Sequence, residues 1–372
     1  MKSYQGIVLK SYVAAASMAA AVAFADDSIT IGVSGPYSGD LASYGIPAKK
    51  AAEIVAKKIN AAGGVNGKQI KLVFEDDVCK PEVAANTATK LVAAGVKVVM
   101  GHICSGATKA ALPIYKDANV LVMSPSATNP ALTQSGKYPN FFRTIAPDDS
   151  QAMTEVEFAI KKGLKNIAVI HDKGDYGKGL AEFAKTFIEK APNIDVALFE
   201  GVTPGAVDYS AIVQKIKRSG ADAVLFGGYH PEASKIVSQM KKKRIKIPFI
   251  SDDGVKDDTF IKVAGKYAEG VYATGPKDNS GNPLSKMAVK EHKKAYKESP
   301  GAFYENAYSA MLALVNAIRL SGGLEFKSLK KTLQNHDVKT PVGKIRFDER
   351  GDALGVGFSM YQVRNGKYIE VK

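Results

Sequence analysis

Hydroxyl, tyrosine and carboxylate side chains follow several short apolar runs of this sequence, and together they can bind charged groups of both signs. Ser105 and Thr128 stand where helical segments begin, and hydroxyls and free backbone N–H groups at helix starts bind carboxylates. An ammonium group needs a carboxylate and carbonyl oxygens, which Asp253 and the Ser126 carbonyl can supply. These residue types indicate a site for an amino-acid zwitterion.

Three tyrosines that follow other apolar runs suit the wall of a small-molecule pocket. Tyr44, Tyr176 and Tyr229 each offer an apolar ring together with a hydroxyl. A cleft with apolar walls and a few convergent polar groups is the usual form of such a site. The tyrosines therefore extend the candidate site from its charged end toward a side-chain pocket.

Ordinary structural roles remain open for the same residues. Hydroxyl residues at helix starts are commonly N-caps, which applies to Ser105 and Thr128. Asp253 also suits a loop or a cap, and Tyr229 suits half-buried packing. The joint placement of these residues at the ends of predicted strands favours the ligand site.

The motifs of common enzyme classes do not fit this chain. A dinucleotide-binding fold needs GxGxxG between the first strand and helix, and residues 32–39 do not have this pattern. A serine hydrolase needs GxSxG at a strand-to-helix turn, and the sequence contains none. The histidines show no metal-ligand spacing, so we expect no enzymatic activity, no metal and no cofactor. They are His102, His171, His230, His292 and His336.

The elements that must position the candidate residues alternate between strands and helices. Short β-branched runs at 29–33, 70–74, 96–100 and 120–123 predict strands, with helical segments between them. Parallel strands joined by helices form a doubly wound sheet, and ligands bind beyond the carboxyl ends of its strands. The candidate residues of the first half follow such ends.

The same alternation begins again after Pro147. Runs at 167–170, 196–199, 223–226 and 249–250 predict a second set of strands. With about 350 residues after the N-terminal segment, the chain is too long for one core. We therefore predict an α/β fold of two lobes, each a parallel sheet flanked by helices, with the ligand cleft between them.

The remaining segments connect the two lobes. Residues 142–147 and 273–276 have the position of crossings, and helices at 285–299 and 302–320 are expected to return to the first lobe. Alternating residues at 358–371 surround an Asn-Gly turn, which predicts a terminal β-hairpin.

The first 25 residues have the pattern of a secretory signal. Lys2 and Lys10 flank the start, an apolar stretch follows at 13–24, and Ala23 and Ala25 provide a cleavage pattern. The stretch is shorter than the roughly 20 apolar residues that a membrane anchor needs. No cysteine stands at the cleavage site to accept lipid, so we expect an exported, soluble, non-lipidated protein.

The two cysteines, Cys79 and Cys104, both lie beyond the signal. An even pair in an oxidising compartment predicts a disulfide. A thiol nucleophile or a metal pair is disfavoured, because there is no CxxC and no histidine at ligand spacing.

The formal net charge of +14 does not indicate a nucleic-acid-binding protein. Lysines are scattered over successive helices, and the one dense basic run, residues 241–244, lies near a helix end without aromatic neighbours. We expect a solvated basic surface, no nucleic-acid partner and a monomeric protein.

Long motifs around these residues give the chain a recognisable likeness. It resembles the periplasmic leucine–isoleucine–valine-binding proteins of branched-chain amino acid ABC transporters over nearly all of the mature sequence. The motifs are GHICS at 101–105, SPSATNP at 124–130, IHDK…YG at 170–177 and GGYHPE at 227–232.

This resemblance implies roles for individual residues. The serine after the second cysteine binds the ligand carboxylate, which corresponds to Ser105, and Cys79 and Cys104 correspond to the family disulfide. The ammonium-binding residue of the family is usually Glu, whereas the matching residue here is Asp253, one methylene shorter. The remaining ligand contacts that the resemblance implies are Ser126, Ala127 and Thr128 in one loop, Tyr229 after paired glycines, and Tyr44 and Tyr176 in the aromatic wall.

The resemblance also implies an architecture and partners. The N-terminal lobe is expected at 26–146 plus 276–354, and the C-terminal lobe at 147–275 plus 355–372. The two lobes close on the ligand by a hinge of three crossings, and the protein then meets a membrane permease outside the cytoplasmic membrane, in the periplasm. The expected ligands are Leu, Ile and Val; the alternative is the same fold binding a different amino acid or a small amide, as carrier or sensor.

Overall fold

The computed structural model of the chain describes residues 28–371. The predicted signal sequence, residues 1–25, lies outside these described residues. The first part of the chain alternates strands with helices, as the hydrophobic pattern predicts. Its elements are β1 (Ile29–Gly35), α1 (Ala42–Ala61), β2 (Ile70–Asp76), α2 (Pro81–Ala93), β3 (Val98–Met100), α3 (Ser105–Asp117), β4 (Leu121–Ser124), α4 (Ala131–Gln134) and β5 (Phe141–Arg143).

These strands form a parallel sheet in the order β2-β1-β3-β4-β5, here called the first sheet. Ile31 lies opposite Leu72 on one side and Val98 on the other. Successive residues point to opposite faces, so Val98 packs in one apolar layer and Val99 in the other. Both faces are therefore buried, which explains the continuous apolar runs in the sequence.

The second part of the chain repeats the alternation and builds a separate sheet. Its two faces are also apolar, with Ile167 and Val169 in one layer and Ala168 and Ile170 in the other. Its elements are α5 (Asp148–Lys161), β6 (Asn166–His171), α6 (Asp175–Lys190), β7 (Asp195–Gly201), α7 (Ser210–Arg218), β8 (Ala223–Gly227), α8 (His230–Lys242), β9 (Phe249–Ser251), α9 (Asp258–Ala264), a 3-10 turn (Gly265–Ala268) and β10 (Tyr272–Pro276).

The last part of the chain serves both sheets. Three helices and three short strands come first, and the terminal hairpin then joins β10 in antiparallel fashion. The elements are α10 (Pro283–Tyr296), α11 (Tyr304–Ser321), α12 (Phe326–Asn335), β11 (Val338–Thr340), β12 (Gly343–Phe347), β13 (Ala353–Leu354), β14 (Phe358–Arg364) and β15 (Lys367–Glu370).

The second sheet has the order β15-β14-β10-β9-β8-β6-β7 and is parallel from β10 to β7. The predicted α/β class, with parallel sheets flanked by helices, is confirmed, and so is the terminal hairpin. Helices α10 and α11 pack with α1 beside the first sheet, where Ala307, Met311 and Leu314 join its core. Within residues 28–371, no helix combines the length and apolar character needed to cross a membrane.

Candidate ligand site between the two sheets

Loops from the carboxyl ends of strands in both sheets meet at one small cavity. The loops after β3 and β4 approach it from the first sheet, and those after β8 and β9 approach it from the second. Six of the eight predicted site residues line it, and the other two, Ala127 and Thr128, are buried beside Ser126. The lining residues are Tyr44, Ile103, Cys104, Ser105, Ser126, Tyr176, Tyr229, Asp253, Gly254 and Phe303.

Ser105 is the first residue of α3, so the cavity faces the N-terminus of that helix. Cys104 occupies the N-cap position, and Ser105 makes no capping hydrogen bond. Its Oγ instead accepts a hydrogen bond from the Asn129 N–H at 3.2 Å. The first N–H groups of a helix have no intrahelical acceptor and carry partial positive charge, so this end of the cavity favours an anion.

The loop after β4 is tied to the loop after β3. The Ser126 hydroxyl donates to the Ile103 carbonyl at 2.8 Å, and the N–H groups of Ser126 and Ala127 donate to Ser124 Oγ at 3.2 and 2.9 Å. Thr128 is fully buried, and its Oγ1 has no hydrogen-bonding partner among the described residues. Helix capping therefore explains neither Ser105 nor Thr128.

Arg143, which is fully buried in β5, holds the loop after β4 through hydrogen bonds to its carbonyl groups. Its Nη1 donates to the carbonyls of Ala127 and Asn129 at 3.2 and 2.9 Å. Its Nε donates to Asp352 at 2.5 Å, which anchors the guanidinium to the segment after β12. The Thr128 carbonyl accepts the Asp148 N–H at 3.0 Å. Ser126 of this loop lines the cavity.

Asp253 supplies the negative charge on the side of the second sheet. It is 2% exposed, and its Oδ1 accepts the Tyr176 hydroxyl at 2.5 Å. Its other oxygen, Oδ2, is buried and has no partner among residues 28–371. Burial raises the pKa of Asp253 to about 6, since the ionised form loses its water. A buried carboxylate with an unused oxygen is suited to bind a cation.

Helix α5 places more carboxylates behind Asp253. Asp148, Gln151 and Glu155 share one face of α5, at spacings of three and four residues, and all are fully buried. Burial and the neighbouring Asp253 raise the pKa of Asp148 to about 8. Burial also raises the pKa of Glu155. Sequence reasoning missed this group, because polar residues at helical spacing usually mark a solvated face.

Aromatic rings enclose the rest of the cavity. The Tyr229 ring lies 5.8 Å from Tyr44 and 5.1 Å from Tyr176, centroid to centroid, and Tyr44 lies 5.9 Å from Phe303. The Tyr44 hydroxyl crosses the cavity and donates to the Gly254 carbonyl. Phe303 was not predicted, because it lies between two helices and no strand end marks it.

Direct contacts also join the two sides at the edges of the cavity. Lys109 of α3 pairs with Asp175 of α6 at 2.6 Å, and Asn129 Nδ2 donates to the Asp175 carbonyl at 2.5 Å. At the other edge, Ser43 Oγ lies 3.2 Å from His230 Nε2. The structure is therefore closed around the cavity.

The predicted disulfide between Cys79 and Cys104 is confirmed, with Cα atoms 5.6 Å apart. It joins the loop after β2 to the residue directly before Ser105. Beneath it, Asp77 Oδ2 lies 2.6 Å from His102 Nδ1, and Asp77 Oδ1 accepts the Cys79 N–H at 2.8 Å. The disulfide and this buried pair together hold the start of α3.

The buried set of Ser34, Asp77 and His102 is not arranged for nucleophilic catalysis. Ser34 Oγ and Asp77 Oδ2 approach the same ring nitrogen of His102, at 3.2 and 2.6 Å. A catalytic triad needs the acid and the serine on opposite nitrogens. Within the described residues, no three His, Cys, Asp or Glu side chains form a group that could hold a metal ion.

Comparison with known proteins gives matches over nearly the whole described chain. A family model described as periplasmic binding protein matches residues 28–367. The chain is 37% identical over 344 residues to the leucine-, isoleucine-, valine-, threonine- and alanine-binding protein of Pseudomonas aeruginosa, covering 92% of each chain. It is 35% identical over 353 residues to the Leu/Ile/Val-binding protein of Escherichia coli K12, covering 94% of this chain and 95% of that protein.

A solved structure is similar in both sequence and shape. It is a branched-chain amino acid transporter substrate binding protein from Streptococcus pneumoniae in complex with isoleucine, with a TM-score of 0.83 and 28% identity. The alignment covers 92% of this chain and all of that one. The likeness in shape therefore extends over nearly the whole chain.

Proposed function

Because the chain belongs to the periplasmic binding protein family, we propose that it captures branched-chain aliphatic L-amino acids and delivers them to the membrane permease of an ABC importer. The relatives described above are named for binding leucine, isoleucine and valine. The same relationship supports a binding role in transport rather than an enzymatic one, and a location in the periplasm.

The main observation in support of this proposal is that one end of the cavity favours an anion and the other end favours a cation. The N-terminus of α3 with Ser105 faces it from one side, and the buried, half-partnered Asp253 carboxylate faces it from the other. An amino-acid zwitterion carries a carboxylate and an ammonium group on one carbon, so it satisfies both ends at once. An uncharged amide leaves the Asp253 charge unpaired in a buried site, which is costly.

Each predicted residue has a role in this proposal. Ser105 and the first N–H groups of α3 bind the ligand carboxylate. The Ser126 carbonyl and Asp253 bind the ammonium group, and Ala127 shapes the loop that carries them. Thr128, predicted at a helix start on the carboxylate side, instead lies two residues before Pro130, the N-cap of α4. Its buried Oγ1, without a partner among the described residues, is assigned here to the ammonium side. The aromatic wall encloses the aliphatic side chain and consists of Tyr44, Tyr176 and Tyr229, to which the structure adds Ile103 and Phe303.

Asp253 is shorter than the glutamate that the family usually has, and two neighbours hold it. The Tyr176 hydroxyl donates to its Oδ1, and its backbone N–H donates to Gln151 Oε1 at 2.9 Å. Either a slightly tighter closure of the lobes or one bridging water compensates for the missing methylene. The apolar wall separates ligands that differ by one methylene by about 1–3 kcal/mol, so Leu, Ile and Val all bind.

The proposed lobes are residues 26–146 with 276–354, and residues 147–275 with 355–372. The first sheet and the second sheet form their respective cores. Ligand contacts to both lobes stabilise the closed state, which is then the form that the permease recognises. The protein acts as a monomer and without nucleic acid.

The test is a calorimetric titration of mature protein that has been unfolded, freed of ligand and refolded. The titrants are L-leucine, L-isoleucine, L-valine, L-phenylalanine, L-alanine and acetamide. We expect the three branched aliphatic amino acids to bind most tightly. Binding of acetamide alone would instead support the amide alternative, and binding of L-phenylalanine alone would keep the fold but reject the proposed ligand class.

Replacement of Asp253 tests the ammonium site directly. Asp253→Ala removes the charge that opposes the ammonium group, and we expect the Kd for L-leucine to rise by about tenfold or more. Asp253→Asn keeps the shape and should give a similar loss. Asp258→Asn, an exposed change in the same segment, serves as the control. Wild-type affinity in both Asp253 variants would remove this residue from the site.

A further inference from the structure

Three buried carboxylates near Gln151 each have one oxygen that accepts no hydrogen bond from the described chain. Asp148 Oδ2, Glu155 Oε2 and Asp253 Oδ2 are all buried, and each has no hydrogen-bonding partner among residues 28–371. The three side chains are at most 2% exposed. Buried oxygens without a hydrogen-bonding partner are rare and costly. Three of them beside the proposed ammonium site therefore indicate a functional role for these carboxylates.

Gln151 connects two of these carboxylates. Its Nε2 donates to Asp148 Oδ1 at 2.8 Å and lies 3.5 Å from Asp253 Oδ1. Its Oε1 accepts the Asp253 backbone N–H at 2.9 Å and lies 2.8 Å from Thr274 Oγ1. The Gln151 amide therefore contacts the Asp148 carboxyl group on one side and both the backbone and the carboxylate of Asp253 on the other.

Burial opposes the ionisation of both aspartates, and for Asp148 the neighbouring Asp253 adds to that effect. The pKa of Asp148 is raised to about 8 by burial and then by Asp253, while burial raises that of Asp253 to about 6. Near neutral pH, Asp148 therefore holds a proton and Asp253 holds a charge. The ionisable groups that face Asp148 are Arg143 of β5, Glu155 of α5, Tyr176 of α6, Tyr229 after β8, and Asp252 and Asp253 after β9.

We propose that Asp148 is a positioning residue of the ammonium site, which acts on Asp253 through Gln151 and releases its proton to the solvent when an ammonium group binds. The inference rests on the proposed amino-acid ligand. The arriving positive charge stabilises the ionised form of a carboxylate on the other side of Gln151. The proton leaves Asp148 Oδ2 for the buffer, and the site gains a second negative charge behind the ammonium group.

The direct test measures protons released on binding. L-leucine is titrated calorimetrically into wild-type protein at pH 7 in phosphate, MOPS and Tris, whose ionisation enthalpies differ. We expect release of about 0.5 to 1 proton per leucine, and a Kd that falls about tenfold or more between pH 6 and pH 8. Asp148→Asn should abolish the release at pH 7 and flatten the pH profile, while still folding cooperatively.

Matched variants separate this role from a general effect of charge. Asp149→Asn removes the same charge from the neighbouring, less buried position and should keep the wild-type proton release. Gln151→Met removes the bridge at similar size and should reduce the release even where leucine still binds. A carbon-13 NMR titration of the Asp148 carboxyl in wild-type protein, with and without leucine, follows the same proton without any substitution.

The outcomes distinguish this inference from the proposed function. Leucine binding without buffer-dependent heat, or an unchanged Asp148 carboxyl signal on binding, overturns the role of Asp148 and leaves the proposed function standing. Failure of L-leucine, L-isoleucine and L-valine to bind at any pH overturns the proposed function, and this inference with it.

Discussion

The Tyr44 hydroxyl is a single polar atom that joins both sides of the cleft. It donates to the Gly254 carbonyl, and it accepts the His230 N–H at 3.4 Å. Tyr44 itself belongs to α1, beside the first sheet, whereas Gly254 lies in the loop after β9 and His230 begins α8, both beside the second sheet. The hydroxyl therefore stabilises the closed arrangement independently of any direct contact with a ligand.

Removal of this hydroxyl should weaken ligand retention. Tyr44→Phe keeps the ring and loses a net hydrogen-bond contribution of about 0.5–1.5 kcal/mol from the closed state alone. We expect the Kd for L-leucine to rise about two- to tenfold, mainly through faster dissociation, as measured by stopped-flow fluorescence or calorimetric displacement.

Tyr37 provides the matched control for this substitution. Its hydroxyl donates to the Val33 carbonyl at 2.9 Å, a bond that lies wholly beside the first sheet. Tyr37→Phe should lower stability without changing the dissociation rate. Equal dissociation rates for Tyr44→Phe and wild type would show that the hydroxyl does not control closure.

The sequence predicted the residues that line the cavity better than those that support them. Tyr44, Ser105 and Asp253 follow strand ends, where the topology of parallel sheets concentrates ligands. Gln151 and Asp148 lie on a polar helix face, a pattern that single-sequence reasoning assigns to solvent. Their burial depends on the packing of α5 against the second sheet, which no local pattern encodes.

At the scale of elements, two covalent or ionic clamps hold the loops of the first sheet. Arg143 binds the loop after β4 through two carbonyls, and the disulfide binds the loop after β3 through Cys104. Loops of this kind would otherwise be the most mobile parts of the fold. The clamps keep Ser105 and the Ser126 carbonyl at a fixed separation.

Loss of the disulfide should destabilise the protein measurably. Cys79 and Cys104 are separated by 25 residues, and closing such a loop contributes about 3–4 kcal/mol in the chain-entropy model. The double variant Cys79→Ala/Cys104→Ala should therefore unfold at lower urea concentration. Reductant should shift the wild-type transition and leave that of the variant unchanged. Identical transitions for oxidised wild type and variant would contradict this contribution.

The sequence predicted the long helices near the C-terminus but not the shorter elements that follow them. Helices α10 and α11 have strong periodicity and occur near their predicted positions. The strands β11 to β13 were missed because none has more than five residues, and the ten-residue helix α12 was missed as well. Their apolar residues, such as Leu329, Leu333 and Phe347, are buried only through contact with a core built much earlier in the chain.

At the scale of the whole molecule, buried carboxylates shift the pH of greatest stability. The native pKa values of Asp148 and Asp172 are raised to about 8 and about 7, far above the values of an unfolded chain. At these two groups the native state binds more protons than the unfolded state between about pH 4 and pH 8, so the stability that they contribute falls as pH rises through that range.

Thermal unfolding of ligand-free protein should show this effect. We expect the Tm to fall from pH 6.5 to pH 8.5, with each of the two groups changing the free energy of unfolding by up to about 1.4 kcal/mol per pH unit below its native pKa. Burial lowers the pKa values of His171, His230 and His292, and the stability that these three groups contribute is lost below this range, as pH falls. Asp148→Asn should reduce the slope and Asp149→Asn should not. A Tm that rises over this range would refute the prediction.

The position of α11 has a consequence for biogenesis. All five strands of the first sheet are complete by Arg143, but α11, which covers one of their apolar faces together with α1, begins only at Tyr304. A chain emerging in order therefore cannot bury that face completely until some 160 residues later. The connectivity thus delays completion of the first sheet's core until the late helices are made, and such a delay is compatible with the proposed export of the chain before it has folded.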